Sequence, residues 1–448
     1  MALLVAAVAH FASACADASS ADDRSRSDST EERAVDLVSA TTGAALANAD
    51  AAATTAAAGE PAATEEATAP ATQNDAPAPS RVVHILGGPR EDTVSALRDG
   101  MTAPLLPEPL VSPREVRSGG PPPDGIPSID APQFERAGDV EFLEPQEAVV
   151  TMTLADDARA YPVQILLWHE IVNDTVGGEP VTVTYCPLCN TAIGYYRQLG
   201  NRIFDFGTSG RLYNSALVMY DRQTESLWSH YTGQAIAGVL TGAQLELIPV
   251  ATVAFETFLA DYPDGLVMTR PAGVQRSYGT NPYPGYDRPD GSPFLFSGTP
   301  DPRLAPQARV LVIRHGGQAA AVVHETLAAR AVVTVELGDI EVVAFHQPGT
   351  ASPIDSPQVA LGRDIGATGV YDPTVGGRRL TFTRAADASS SAGLGAFVDD
   401  QTGSGWSLLG RSLSGPLAGT QLTPIEHLDT FWFAAAAFDG DIEIVGAP

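Results

Sequence analysis

Short apolar runs alternate with small polar breaks along this chain, and the rhythm predicts strands. Val149 to Leu154, Val181 to Tyr185 and Ala192 to Tyr196 are rich in β-branched and aromatic residues and are separated by Gly, Asp and Asn, the pattern of strands joined by tight turns. Arg81 to Leu86 is an earlier run of the same kind. Helical patterning is sparse and is clearest at Val163 to Val172, which follows Pro162, and at Val253 to Asp261, where Thr252 is placed to cap the first turn. Val111 to Ile129 is crowded with Pro and Gly and predicts no regular element.

The chain also repeats itself. Tyr220-Asp221-Arg222-Gln223-Thr224-Glu225-Ser226-Leu227-Trp228 returns as Val398-Asp399-Asp400-Gln401-Thr402-Gly403-Ser404-Gly405-Trp406, and Gly238 to Leu245 returns as Gly415 to Leu422. Val181-Thr182-Val183-Thr184-Tyr185-Cys186 lines up with Glu341-Val342-Val343-Ala344-Phe345-His346. Spaced matches in one order predict an internal duplication. The expected fold is β-rich α+β: an irregular lead-in over 81–140, a first half over 141–270, a long loop over 271–304, and a degenerate second half over 305–448. Because Asp221, Ser226 and Trp228 recur as Asp399, Ser404 and Trp406, where no thiols exist, their role is read as structural.

Before residue 81 the chain changes character. Met1 to Ala14 is a short apolar run ending in small residues ahead of Cys15, too short to span a bilayer and shaped like an export signal. Ala12-Ser13-Ala14-Cys15 resembles a lipobox, with Cys15 the lipidated residue. Residues 16–80 are Ala, Ser, Thr, Asp, Glu and Pro with little to bury, a disordered linker by composition. The expected location is therefore outside the cytoplasm, periplasmic or at the cell surface, with the membrane as partner through a lipid anchor. A net charge of −28, with every basic residue an Arg, leaves no basic groove for a phosphate backbone and argues against nucleic acid as a partner.

The chemically distinctive segment is Cys186-Pro187-Leu188-Cys189-Asn190. With β-type sequence on both sides the pair sits on a tight turn between strands, where two thiolates can chelate one ion and Asn190 can take the left-handed conformation such a turn needs. There is no second cysteine pair, so further ligands must be other residues. His169 is the nearest, with zinc or copper as the ion, and His230 is the weaker candidate. Two other readings use the same residues. A thiol-disulfide or sulfur-handling enzyme would use Cys186 as nucleophile and Cys189 as resolving thiol, and a non-catalytic scaffold would join them in a structural disulfide. Glu170 is a candidate general base, or an acceptor that orients His169; Asp174 is read as a cap or a solvated charge. Arg211, Tyr213 and Asn214 are additional candidates to line the site.

Tyr161-Pro162, Trp168-His169-Glu170-Ile171-Val172-Asn173-Asp174, Thr184-Tyr185-Cys186-Pro187-Leu188-Cys189, Ser209-Gly210-Arg211-Leu212-Tyr213-Asn214-Ser215 and Tyr220 to Trp228 together resemble the family called domain of unknown function 3179. The resemblance runs from about Gly125 to the C-terminus and is strongest up to about Asp264. It implies an exported bacterial or archaeal protein and supplies no mechanism. Asn190 stands where members commonly have Gly, and His230 where Gln is common, a departure that speaks against His230 as a ligand shared across the family.

Overall fold

A computed structural model describes residues 83–84, 93–386 and 395–446. The signal and lipidation readings at Cys15 and the linker reading of 16–80 lie outside the described residues. The run at 81–86 contributes a strand at Val83–His84.

The predicted strands form, slightly longer than the apolar runs that announced them. β1 is Ala148–Leu154 and β2 is Asp157–Pro162. Pro162 closes β2 and opens α1, Val163–His169, because its fixed φ suits a helix start. The helix stops earlier than the apolar pattern suggests: Glu170 turns left-handed at φ 57°, and Ile171–Val176 leaves as β3. β4 (Glu179–Cys186) and β5 (Thr191–Tyr196) are joined by the dithiol turn. β6 (Phe206–Tyr213), β7 (Ala216–Asp221), β8 (Leu227–Ser229) and β9 (Ala235–Ala237) form a meander. β10 (Leu247–Ile248), β11 (Ala251–Ala254), α2 (Phe255–Asp261) and β12 (Leu266–Met268) complete this stretch. Thr252 does not cap α2, which starts after Ala254 without a side-chain cap, because Thr252 is inside the β11–β1 ladder. Val116–Ser118, in the segment expected to be irregular, adds a short edge strand to β6.

Residues 309–445 pass through the same order of elements. They are β13 (Arg309–His315), β14 (Gln318–Val323), α3 (His324–Arg330), β15 (Val332–Leu337), β16 (Ile340–Gln347) and β17 (Ala367–Asp372). Then come β18 (Phe382–Arg384), β19 (Phe397–Asp399), β20 (Gly405–Trp406), β21 (Ser412–Ser414), β22 (Thr423–Pro424), β23 (His427–Phe431), α4 (Trp432–Asp439) and β24 (Glu443–Val445). Sheet order β11-β1-β2-β12 is matched by β23-β13-β14-β24, and β10-β5-β4-β3 by β22-β17-β16-β15. In each stretch the last strand runs parallel to the second. The fold is thus β-rich with few and short helices.

Asp221 and Asp399 show what the repeated motif does. Asp221 accepts the Trp228 indole N–H at 2.9 Å and the Thr224 amide at 2.6 Å; Asp399 accepts Trp406 at 3.0 Å and Thr402 at 2.6 Å. Each buried carboxylate ties a turn to a core tryptophan, and each indole N–H gains the partner it needs when buried. These residues are structural, as their recurrence predicted.

Candidate metal centre

Cys186 ends β4, Thr191 begins β5, and the two are paired across the ladder, so residues 187–190 form a closed turn. Asn190 lies at φ 54°, the left-handed conformation expected of it. Its Oδ1 accepts the Tyr185 hydroxyl at 3.1 Å, a local bond that offsets the strain. The turn is also held from the other stretch. The Cys189 carbonyl accepts the Thr191 hydroxyl at 3.2 Å, the Thr430 hydroxyl at 3.1 Å and the Phe431 amide at 3.0 Å, so β23 is docked on the turn.

Both thiols are free and buried. The ligand atoms of Cys186, Cys189 and His230 all lie within 4.8 Å of one another. His230 is fully buried, and its backbone is fixed at both ends: its amide donates to the Leu217 carbonyl at 3.1 Å, and its carbonyl accepts the Tyr195 hydroxyl at 2.7 Å. Neither ring nitrogen has a hydrogen-bond partner among the described residues. Burial pushes its pKa down to about 3, so the ring is neutral and offers a lone pair. Burial also pushes both thiols up, but the Cys189 thiol and backbone groups of Cys189, Leu217 and Leu188 bond to Cys186 and bring it below the usual range. Cys189 stays well above it, raised by burial and by the neighbouring Cys186.

Glu170 stands beside this group. Its carbonyl accepts the Tyr185 amide at 2.8 Å, which sets it next to the end of β4. The residue is buried, and its carboxyl makes no hydrogen bond or ion pair among the described residues. Burial, and then the charge of Cys186, raise its pKa to about 8.

The structure does not bring His169 to the thiols. Its Nδ1 bonds the Pro127 carbonyl and its Nε2 the Tyr278 hydroxyl, each at 2.7 Å, so both donor positions are occupied at the end of α1. Proximity in sequence misled here, because the left-handed turn at Glu170 separates the helix end from the strand that leads to the thiols. Asp174 is no cap: it takes Arg159 through two contacts at 2.9 and 2.7 Å and the Tyr161 hydroxyl at 2.7 Å. Arg211 donates to the Leu97 carbonyl at 2.9 Å, Tyr213 packs edge-on against Phe438, and Asn214 supplies a left-handed turn residue at φ 48°. What the β6–β7 hairpin brings to the centre is the backbone of Leu217. Sequence reading also passed over Tyr195, Thr430 and Phe431, which hold the centre from outside.

One signal in the sequence pointed to His230. Trp228-Ser229-His230 corresponds to Trp406-Ser407-Leu408, and just as Tyr195 bonds the His230 carbonyl, the Tyr371 hydroxyl bonds the Leu408 carbonyl at 2.8 Å. The frame accepts a leucine where this stretch carries a histidine. The register of the other match moves by one residue: the amide of Tyr185 bonds Glu170, and that of His346 bonds the left-handed Ala331 at 2.8 Å, so Cys186 corresponds to Gln347 rather than to His346.

A family model described as "Protein of unknown function (DUF3179)" matches residues 123–442. No curated protein and no solved structure matches the chain.

Proposed function

The chain belongs to the DUF3179 family of proteins of unknown function, a membership that brings no activity with it, and on the site alone we propose that Cys186, Cys189 and His230 bind one transition metal ion, zinc or copper. The observation that carries this is the unpartnered imidazole of His230, held against two thiols where the frame accepts a leucine. Burying a ring nitrogen without a partner costs about 1–3 kcal/mol, and a metal ion removes that cost. Two sulfurs and one imidazole are a soft donor set suited to either ion, and three protein donors leave a zinc ion one open position. Glu170, outside the donor cluster but beside Cys186, is placed to exchange a proton with whatever occupies it. Both an enzyme and a metal carrier fit this arrangement.

The test is elemental analysis of the full chain purified without chelator or affinity metal. Zinc or copper near one per chain in the parent and in His169→Ala, and near zero in Cys186→Ser and His230→Leu, is expected. A folded parent that holds no metal and takes none up when reduced removes the proposal.

The closeness of two free, buried thiols supports a second reading, a dithiol redox pair, with Cys186 as the attacking sulfur because the Cys189 thiol and backbone groups of Cys189, Leu217 and Leu188 bond to it. Such a pair exchanges readily with small thiols, whereas a structural disulfide resists reduction. A pair that cannot be oxidised or reduced without unfolding contradicts this reading.

The setting we propose is extracytoplasmic, with the chain tethered through Cys15. Incorporation of a labelled fatty acid that vanishes in Cys15→Ala supports the tether, and an unlabelled parent refutes it. We also infer that residues 145–270 and 305–448 descend from one duplicated unit. The shared order of elements and the paired Asp-Thr-Trp bonds support this, and relatives whose two stretches differ in element order would speak against it.

A further inference from the structure

Two tyrosines cover the centre, and both come from residues 269–308, which contain neither helix nor strand. Tyr286 packs against Phe431 with ring centroids 6.1 Å apart, and Phe431 is the residue whose amide holds the Cys189 carbonyl. Tyr283 packs on the same core, near enough to Glu170 and Cys186 that their charges add to burial in opposing its ionisation. Under this cover Cys186 and Cys189 are only 1% and 0% exposed.

The cover is held by residues 348–366, which join β16 to β17 at the place where the short dithiol turn joins β4 to β5. Thr280 bridges Gln358. The Asn281 amide donates to the Pro357 carbonyl at 2.9 Å, the Gly285 amide to the Asp355 carbonyl at 2.6 Å, and the Asn281 side chain to the Ser356 carbonyl at 3.0 Å. At the end of this seam the buried carboxylate of Asp287 meets Arg309 at 2.9 Å, Arg363 at 2.7 Å and the Ser352 hydroxyl at 2.6 Å. A buried charge held by several partners becomes costly when one is removed. The seam itself is backbone bonding between two loops, the kind of contact that opens below the cost of global unfolding.

We propose that residues 278–287 form a strap that gates access to the Cys186/Cys189/His230 centre, and that Asp287 is the positioning residue that seats it on residues 348–366. The strap's purpose rests on that centre being the reactive or metal-binding one, but its opening can be measured without metal. On this view the second stretch carries no thiols because its longer loop serves the first stretch's site.

The test measures how fast a water-soluble aromatic disulfide modifies the thiols of the reduced, metal-free full chain carrying Cys15→Ser, so that Cys186 and Cys189 alone report. In Asp287→Asn and Arg363→Ala the rate should rise at least about tenfold. Thr402→Ala, which loses the hydroxyl's bonds to Asp399 and Ser404, each at 2.7 Å, serves as a destabilised control and should react at the parent rate, with a urea midpoint no higher than that of the strap variants. Unchanged rates in both strap variants, or a rise equalled by Thr402→Ala, would overturn the proposal. Failure of the metal reading would appear in the elemental analysis and leave these rates as they are.

Discussion

The end of β4 and the end of β16 occupy the same place in two matching runs of elements, yet they carry opposite chemistry. In the first stretch Glu170, Cys186 and His230 gather at one buried point, and the carboxyl and the imidazole have no hydrogen-bond partner among the described residues. In the second stretch the corresponding residues are Ala331, Gln347 and Leu408, and the short turn gives way to residues 348–366. Buried polarity in the second stretch is partly paired: Asp429 accepts His324 Nε2 and the Thr368 hydroxyl, each at 2.7 Å, and His427 Nδ1 bonds the Ile425 carbonyl at 2.8 Å, while His324 Nδ1, His427 Nε2 and His346 Nδ1 have no partner among the described residues. Among the buried described histidines only His230 has both ring nitrogens fully buried and without a partner. Paired polar groups can be explained by folding alone. Unpaired ones on a frame that tolerates alanine and leucine call for a ligand.

The comparison can be broken first, and with the largest effect, at His230. His230→Leu gives the first stretch the residue of the second, so the chain should stay folded and its metal content should fall from near one to near zero; a folded variant that keeps its metal severs His230 from the centre. Trp228→Phe and Trp406→Phe each remove one hydrogen bond from a buried Asp that keeps its Thr partner, at a cost of about 1–3 kcal/mol. Similar losses in urea denaturation would show that the two motifs are one device, and a loss confined to Trp228 would tie that residue to the site instead. The effect of pH sharpens the contrast between Glu170 and Ala331. The folded pKa of Glu170, about 8, lies above the ordinary carboxyl value, so the unfolded chain releases its proton first and stability falls as pH rises toward 8. Metal-free Glu170→Gln should therefore be more stable than the parent by about 1–3 kcal/mol at pH 8 and equal to it at pH 4; equal stability at both would show that the carboxyl is solvated. The smallest effect on the metal is expected at His169→Ala, which loses two hydrogen bonds worth about 0.5–1.5 kcal/mol each yet should keep its full metal content.

The strands, the dithiol turn and the left-handed Asn190 were legible because their causes are local: apolar runs, a ladder on either side of the cysteines, and a residue that tolerates positive φ. Helix ends were less so. Both of the helices expected from the sequence, α1 and α2, begin or end against strands that the apolar pattern runs straight through, and no sequence period marks the left-handed stop at Glu170. The third donor was the least legible, since His230 reaches the thiols through the β6–β7–β8 meander, and adjacency in sequence favoured His169. Comparison of Trp228-Ser229-His230 with Trp406-Ser407-Leu408 held the missing signal: where a repeated core position changes from apolar to ionisable, function is the first explanation to test.

The central claim is tested most directly by X-ray absorption on the full chain loaded with one equivalent of zinc, beside His230→Leu. Two sulfurs and one imidazole nitrogen around the ion, with the nitrogen missing or the ion lost in the variant, is the predicted result. A shell of oxygens alone, or a sulfur and nitrogen count that His230→Leu does not change, would contradict it.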